Sequence, residues 1–452
     1  MNKSFLHILT VPNLSSFDNL TYLANYYNRQ KDLREAIVSL LKGTIDIDQI
    51  QGKKVLLKPN WVKHSSTPED EICLRTHDNF TLAVLVYILD LKPRSVVIGD
   101  APIQSCKWYK MISSTFMQEI NNLSIKYSIP VFIKDFRRRT YTISENSPVA
   151  EIRPLSDYVI FDLGKESFIE PITKTGKNKF RVTNYDPDRM SVAHAPGIHK
   201  YCITKEFFDA DIVILLPKLK THQKTGITGA LKILVGINGD KDFLPHHRIG
   251  GTGFGGDCYP GNSFLRYLSE LAMDKANQKQ GTKIYWIWQK LSSIFWTISI
   301  PGPEHNEDAG WYGNDTTWRM VLDLNRIAEF SKSDGSISDI PQRQIYSICD
   351  GIIGGQSEGP LNPEPLPLGI ISFSNNSSVN DQALAILMNI PPKKIPLLNS
   401  YYLYKKIEDC EITLNSSKVK LEDLKQIAVT AKPPKGWINY LNIRDENSNS
   451  PY

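Results

Sequence analysis

Compact runs of apolar residues that end in polar, glycine- or proline-containing turns recur along the chain. Lys53–Trp61 (KKVLLKPNW) is one such run, the pattern of a strand buried on both faces. Asp78–Leu91 (DNFTLAVLVYILDL) follows with closely spaced apolar positions behind a capping residue, which predicts a helix. Ser95–Pro102 (SVVIGDAP) then returns to a short β-branched run. Strand, helix and strand in this order imply a right-handed βαβ unit within a parallel sheet. The loops at Lys58–His64 and Gly99–Cys106 are therefore expected on one edge of that sheet, where open α/β folds bind ligands. The first run, in MNKSFLHILTVPNLSS, is interrupted by His7 and followed by no small-residue cleavage site, so it is expected to be a strand rather than a signal peptide.

Phe136–Val192 reads as irregular strands and turns. Ala210–His222 (ADIVILLPKLKTH) repeats the buried strand with a cationic end, and Gly310–Phe330 reads as an amphipathic helix. Ile345–Met388 reads as a third βα block containing the glycine-rich turn DGIIGGQSEGP, and the polar NSNSPY end is expected to be frayed. The expected fold is α/β, with parallel-sheet lobes, a cleft lined by strand-end loops, and a long loop and helical insertion at 250–308. The expected divisions are an N-terminal lobe at 1–200, a second lobe at 201–395 and a C-terminal extension at 396–452. Ile284–Ile300 (IYWIWQKLSSIFWTISI) is apolar and Trp-rich, yet Gln289, Lys290 and two serines interrupt it, and it falls short of the ~20 apolar residues that span a bilayer. It is expected either to pack on the body of the protein or to touch a membrane surface through Trp286, Trp288, Phe295 and Trp296.

Composition narrows the class. The 452 residues are 41% hydrophobic and 22% charged, which excludes disordered and fibrous chains. The net charge of +5 is mild at this length and predicts no nucleic-acid partner, so any anionic ligand must be held by local charge. Six scattered cysteines without a C-x-x-C pair predict free thiols in a reducing cytoplasm and no iron–sulfur cluster.

Candidate chemistry concentrates at Leu216–Lys241 (LPKLKTHQKTGITGALKILVGINGDK). Lys218, Lys220, Lys224 and Lys232 surround Gly226, Thr228 and Gly229, so ammonium groups, a hydroxyl and backbone N–H groups can converge on a phosphate or carboxylate. The same residues also suit a solvated lysine-rich turn. His246, His247 and Arg248 follow. Neutral imidazoles bind borderline metals and move protons near neutral pH, so His246, His247 and Asp257 can hold a divalent metal, with the acidic run Glu304–Gly310 nearby, while an adjacent histidine pair equally suits plain loop surface. Lys58, Asn60 and Arg75 offer further anion contacts, or helix caps and solvated surface. Asp100 and Gln104 stand at another strand end, and Cys106, with no base beside it, is expected to be structural. Gly354 and Gly355, with Asp350, Gln356 and Glu358, are expected in a second glycine-rich loop that closes the ligand pocket or holds a metal.

The motifs LLKPNW, GDAP, LPKLKTH, TGITGALK, LVGINGDK, LPHHRIG, WYGNDTTWRM and DGIIGGQSEGP, in this order between about Lys53 and Met388, resemble the domain-of-unknown-function family 362. That resemblance implies no chemistry. The spacing of His222, Gly226, Thr228, Gly229 and Lys232 is distantly similar to the signature of the nickel-pincer lactate racemases. In that family the lysine carries a pyridinium bisthiocarboxylate nucleotide and the histidine transfers protons. The resemblance thus implies Lys232 as the cofactor lysine, His222 as an acid/base group, and His246 or His247 as a nickel ligand. The chain departs from that pattern at GDAP, which has no histidine for the second acid/base role. The expected function is an enzyme acting on an anionic small molecule, phosphorylated or a sugar acid, with racemisation or epimerisation as its most concrete form. His222, Lys232, His246 and His247 are its catalytic candidates. The alternatives are a non-catalytic module that binds a nucleotide or acidic glycan, and a peripheral membrane enzyme of surface-glycan metabolism.

Overall fold

The structure is a computed structural model and describes residues 3–11, 19–144, 147–173, 179–183, 185–280, 282–299, 309–405 and 409–442. The NSNSPY end lies outside the described residues, as does the acidic run Glu304–Gly310 apart from Ala309 and Gly310.

The apolar runs become strands of one eleven-stranded sheet. Nine of them lie in the order Ser417–Lys418, Cys410–Leu414, Ser4–Thr10, Asn362–Ser374, Gln344–Glu358, Ile212–Leu216, Lys54–Pro59, Ser95–Asp100 and Val131–Asp135. From Gln344–Glu358 to Val131–Asp135 every pairing is parallel. Lys218–His222 also pairs with Gln344–Glu358 and carries Gly226–Thr228 as an antiparallel partner. The side-chain period of two explains the unbroken hydrophobicity of the central strands. Leu56, Val213 and Leu215 face one apolar layer with helices Thr317–Phe330 and Ser377–Leu387, whereas Val55, Leu57, Ile214 and Leu216 face another with helix Asp78–Asp90. Both faces are covered, so neither shows polar alternation.

The expected βαβ unit is present, with Lys54–Pro59 and Ser95–Asp100 parallel on either side of helix Asp78–Asp90. Its cap is His77, whose Nδ1 accepts from Asn79 N–H. Two expectations differ. Strands from 1–200, 201–395 and 396–452 pair within the one sheet, so those boundaries do not separate independent sheets. The block from Ile345 does end in a strand and a helix, Asn362–Ser374 and Ser377–Leu387, but it opens with a long antiparallel hairpin of Gln344–Glu358 and Asn362–Ser374. Gly354 and Gly355 accordingly lie within a strand, opposite Leu366 and Pro365, and not in a loop. A Cβ at Gly355 would come within 2.8 Å of the Lys220 Cβ, so the glycine records the close approach of strand Lys218–His222.

The insertion forms a helical hairpin, Phe264–Gln278 and Lys283–Ser299, joined across buried Ser269 and Ser292, where the Ser269 hydroxyl donates to the Ser292 carbonyl at 2.8 Å. Trp288, Phe295 and Trp296 are partly covered, while Trp286 is exposed. The exposed apolar stripe of this helix is Ile284, Ile287, Ile294 and Ile298, at helical spacing. Among the described residues one stretch, Pro68–Asp90, is long and apolar enough by composition to cross a membrane, and 78% of its most apolar 18 residues are buried inside the fold.

Where strand Ile212–Leu216 ends, buried Lys218 meets buried Asp350 at 3.0 Å. The Tyr27 hydroxyl donates to the same carboxylate at 2.6 Å and accepts from Lys218 at 2.9 Å, which ties helix Asn19–Asn28 to the sheet. Removing one partner strands the other charge in low dielectric. Asp350→Ala is therefore expected to lower unfolding free energy by about 3–5 kcal/mol in chemical denaturation, and Lys218→Met combined with Asp350→Leu to lose clearly less.

Candidate functional site

The site begins where parallel strands stop. Lys58 and Asp100 lie near the C-terminal ends of the adjacent strands Lys54–Pro59 and Ser95–Asp100, and their side chains pair at 2.7 Å in full burial. Asp100 also accepts from Trp61 N–H at 2.7 Å and Ala101 N–H at 2.8 Å. Over this pair runs the turn Lys232–Ile237. A Cβ at Gly236 would sit 1.8 Å from Asp100 Oδ1 and 2.5 Å from Lys58 Nζ, so only glycine lets the turn close there.

That closure gathers cations. Burial drives the Lys220 and Lys232 amines from an ordinary 10.5 down to about 7 and that of Lys241 to about 8. Neighbouring positive charge adds to the effect: Lys232 and Lys218 act on Lys220, Lys241 and Lys224 act on Lys232, and Lys58 acts on both Lys232 and Lys241. Asp100 opposes the shift at all three. Lys220 donates to the Leu74 carbonyl and Lys241 to the Ala101 carbonyl, so dipoles rather than carboxylates meet these amines. Thr228 is directly opposite Lys220 in the hairpin, on the same face, and its buried hydroxyl has no hydrogen-bond partner. Several amines, an unused hydroxyl and little negative charge give this group a composition that suits an anionic ligand.

Two histidines enter the same group in opposite states. His222 Nδ1 accepts from Lys224 N–H at 3.0 Å and Thr225 N–H at 3.3 Å, which assigns the ring proton to Nε2. His246 Nδ1 lies 2.7 Å from the Leu244 carbonyl, which can only accept, so Nδ1 carries the proton and Nε2 keeps its lone pair. Burial, then Lys232, Lys220 and Lys224, hold His222 well below the usual imidazole range; burial, then Lys224 and Lys232, do the same for His246. Both rings are neutral at physiological pH, one presenting an N–H and the other a lone pair.

The remaining candidates divide between this group and internal structure. Lys218 is neutralised by Asp350, and Arg75 binds Asp78 through two N–H···O contacts of 2.6 and 3.1 Å. Asn60 is buried beside the Lys58 strand end, and its Oδ1 has no hydrogen-bond partner. The N–H groups after Gly229 do not await a ligand: Asp381 accepts from Ala230 and Leu231 at 2.6 and 2.9 Å. A Cβ on Gly229 would come 2.2 Å from that carboxylate, and the φ of +81° at Gly226 serves the tight hairpin. Buried Cys106 has its thiol pushed up to about 11 by desolvation. Arg248 lies near both Asp257 and Asp315. Asp257 also accepts from Arg248 N–H, Asp315 N–H and the Thr316 hydroxyl, so its carboxylate is committed within the fold.

His246 and His247 part company where the chain enters the short strand His247–Arg248: His246 lies with the lysines. His247 meets Cys258 and Glu270, and a ligand atom from each lies within 4.8 Å of the others. Sequence reasoning singled out neither Cys258 nor Glu270 for metal, and it passed over Lys241 and Asp381. The eleven residues from His247 to Cys258 offered a faint signal. Glu270 and Asp381, on helices distant in sequence, offered none.

The amines of Lys220 and Lys232 are charged below about 7 and neutral above it, against an ordinary 10.5. In the ligand-free chain the unfolded state therefore holds more protons between about 7 and 10.5, so these groups make stability rise with pH across that window. Anion binding has the opposite sign, since it needs the charged amines. Sulfate, doubly charged throughout, is expected to bind roughly tenfold or more tightly at pH 6 than at pH 9, with proton uptake seen by calorimetry in buffers of differing ionisation enthalpy.

No curated protein matches the sequence. A crystal structure of a protein from Thermotoga maritima, a target of the Northeast Structural Genomics Consortium, aligns at 9% identity and a TM-score of 0.34 over 77% of this chain. The alignment covers 56% of that protein, so the chain spans a little over half of its length. The lysine hairpin, the turn over Asp100, both histidines, Asp381 and the glycine-bearing strand all fall within the stretch that matches a family profile, and through that match this chain carries, over residues 162–386, a domain of the family described as Domain of unknown function (DUF362).

Proposed function

We propose that this protein is an enzyme that binds an anionic small molecule, carrying a carboxylate or phosphate, among Lys220, Lys224, Lys232 and Lys241, and transfers a proton on it with His222 and His246. One observation carries the reading: two neutral imidazoles of opposite tautomer stand within electrostatic reach of the same buried lysines. A lone pair at His246 Nε2 suits a general base, and an N–H at His222 Nε2 suits a donor to oxygen on which charge develops. The lysines hold the anion and stabilise negative charge formed on it.

A narrower form of this reading is epimerisation at a carbinol carbon with a nickel-pincer nucleotide on Lys232. The residues fit such a group. The Lys232 amine, pushed down to about 7 by burial, is available for covalent attachment, and the His246 lone pair is open to a metal ion. When bound, the group supplies a hydride acceptor. His246 would then be a ligand, leaving Lys220, with its amine near 7, to take the hydroxyl proton and His222 to donate to the oxygen. The mass of the Lys232 peptide, from protein purified from its own organism, decides the matter: an unmodified lysine without nickel overturns this form.

The broader proposal is tested by incubating the purified chain with phosphorylated sugars, sugar acids and 2-hydroxy acids in D₂O, followed by NMR. At least one compound is expected to turn over or exchange a C–H. His246→Gln should cut that rate by about 10²-fold or more while affinity stays within about threefold, and Lys232→Met should weaken binding instead. Binding without turnover or exchange in any compound, with His246→Gln changing affinity alone, identifies a recognition module.

A further inference from the structure

We propose that His247, Cys258 and Glu270 form a binding site for a divalent, borderline-soft cation of the zinc class, with three protein ligands and a fourth position for water or an anionic ligand. A ring nitrogen, a thiol sulfur and a carboxylate oxygen lie within 4.8 Å of one another, an arrangement that needs little adjustment to close around a tetrahedral ion.

The donors are delivered by three elements and held by the backbone. His247 is in the two-residue strand His247–Arg248, paired with Phe180–Arg181. Cys258 closes the following loop, with its N–H on the Gly250 carbonyl at 3.1 Å and the Asp257 N–H on the Arg248 carbonyl at 3.1 Å. Glu270 is in the second turn of helix Phe264–Gln278. Gly250 N–H donates to Glu270 Oε2 at 2.8 Å, which turns Oε1 toward His247 Nε2 at 3.9 Å. A ligating carboxylate steadied by a backbone N–H is the support that metal sites commonly have.

The independent observation is unmet polarity. His247 is only 5% exposed, and its Nδ1 is buried without a hydrogen-bond partner, as is Glu270 Oε1. Buried polar atoms are ordinarily paired, and Glu270 Oε1, unmet and facing the His247 ring at 3.9 Å, indicates a missing partner in the cluster. Donor chemistry selects its class. Thiolate and imidazole are poor ligands for magnesium and calcium, which take oxygen, and suit zinc and its neighbours. Charge agrees as well: a thiolate, a carboxylate and a neutral imidazole balance a divalent ion, which suits a buried position already under the positive fields of Lys224 and Arg181. With His246 turned to the lysine group and His247 to this one, the cation site backs onto the anion site without depending on it.

The test uses the full chain, stripped with chelator and titrated with Co²⁺. One equivalent is expected to produce thiolate-to-cobalt absorption in the near ultraviolet with tetrahedral d–d bands, and Zn²⁺ should displace it. Cys258→Ser should abolish the thiolate band, Glu270→Gln should weaken binding at least about tenfold, and Cys106→Ser should leave both unchanged. Circular dichroism establishes that each variant folds, and Glu270→Gln keeps the proposal falsifiable should Cys258→Ser not fold. No stoichiometric band in the folded wild-type chain overturns the proposal, as does a band that survives Cys258→Ser or affinity unchanged in Glu270→Gln. None of these readouts requires a substrate, so the outcome is independent of the enzymatic reading.

Discussion

Positive charge taken out of water at the C-terminal edge of a parallel sheet is the constraint from which the rest of this structure follows. An isolated ammonium group in a low-dielectric interior is strongly unfavourable, and a chain has few remedies: pair it, lower its pKa or leave room for an anion. This protein uses the first two, and we propose that it uses the third. Lys58 is paired with Asp100 and Lys218 with Asp350, each in full burial. Lys220, Lys232 and Lys241 instead titrate far below their ordinary value. Paired lysines brace the strand ends, and those left without a buried carboxylate of their own are the groups to which the proposed anion site is assigned.

Close approach makes the arrangement specific. Gly236 admits the turn that brings Lys232 over the Lys58–Asp100 pair, and Gly229 admits the Asp381 carboxylate that satisfies the turn's own N–H groups. Asp381 thereby takes the backbone donors that a glycine-rich anion loop would have offered to a ligand. In the proposed site, recognition would fall to side-chain ammonium groups and the Thr228 hydroxyl, a change from fixed dipoles to groups whose charge depends on pH.

Much of the first half was legible because its signals are local. Apolar runs ending in Lys-Pro-Asn or Gly-Asp identify strands and their functional ends, and Lys58 and Asp100 lie where that reading places them. The hairpin Gln344–Glu358 with Asn362–Ser374 was not legible, because glycines within a strand look the same in sequence as glycines in a loop. What separates them is the neighbouring strand that packs against Gly355. Cys258 was likewise unreadable for metal: the absence of C-x-x-C says nothing about donors assembled from a strand, a loop and a helix.

By itself, then, the sequence determined an α/β chain with parallel strands, a lysine-bearing strand end at Lys218–Lys232 and a pair of adjacent histidines, since periodicity and strand-end chemistry are written in neighbouring residues. Tertiary structure alone decided which lysines are neutralised by a buried carboxylate and which are not, and which tautomer each histidine adopts. It also decided that His246 and His247 look into different surroundings. The physical reason is that charge state and hydrogen-bond role depend on burial and on partners far away in the chain. Asp350, Asp381 and Glu270 reach their places only when the sheet and helices close around them.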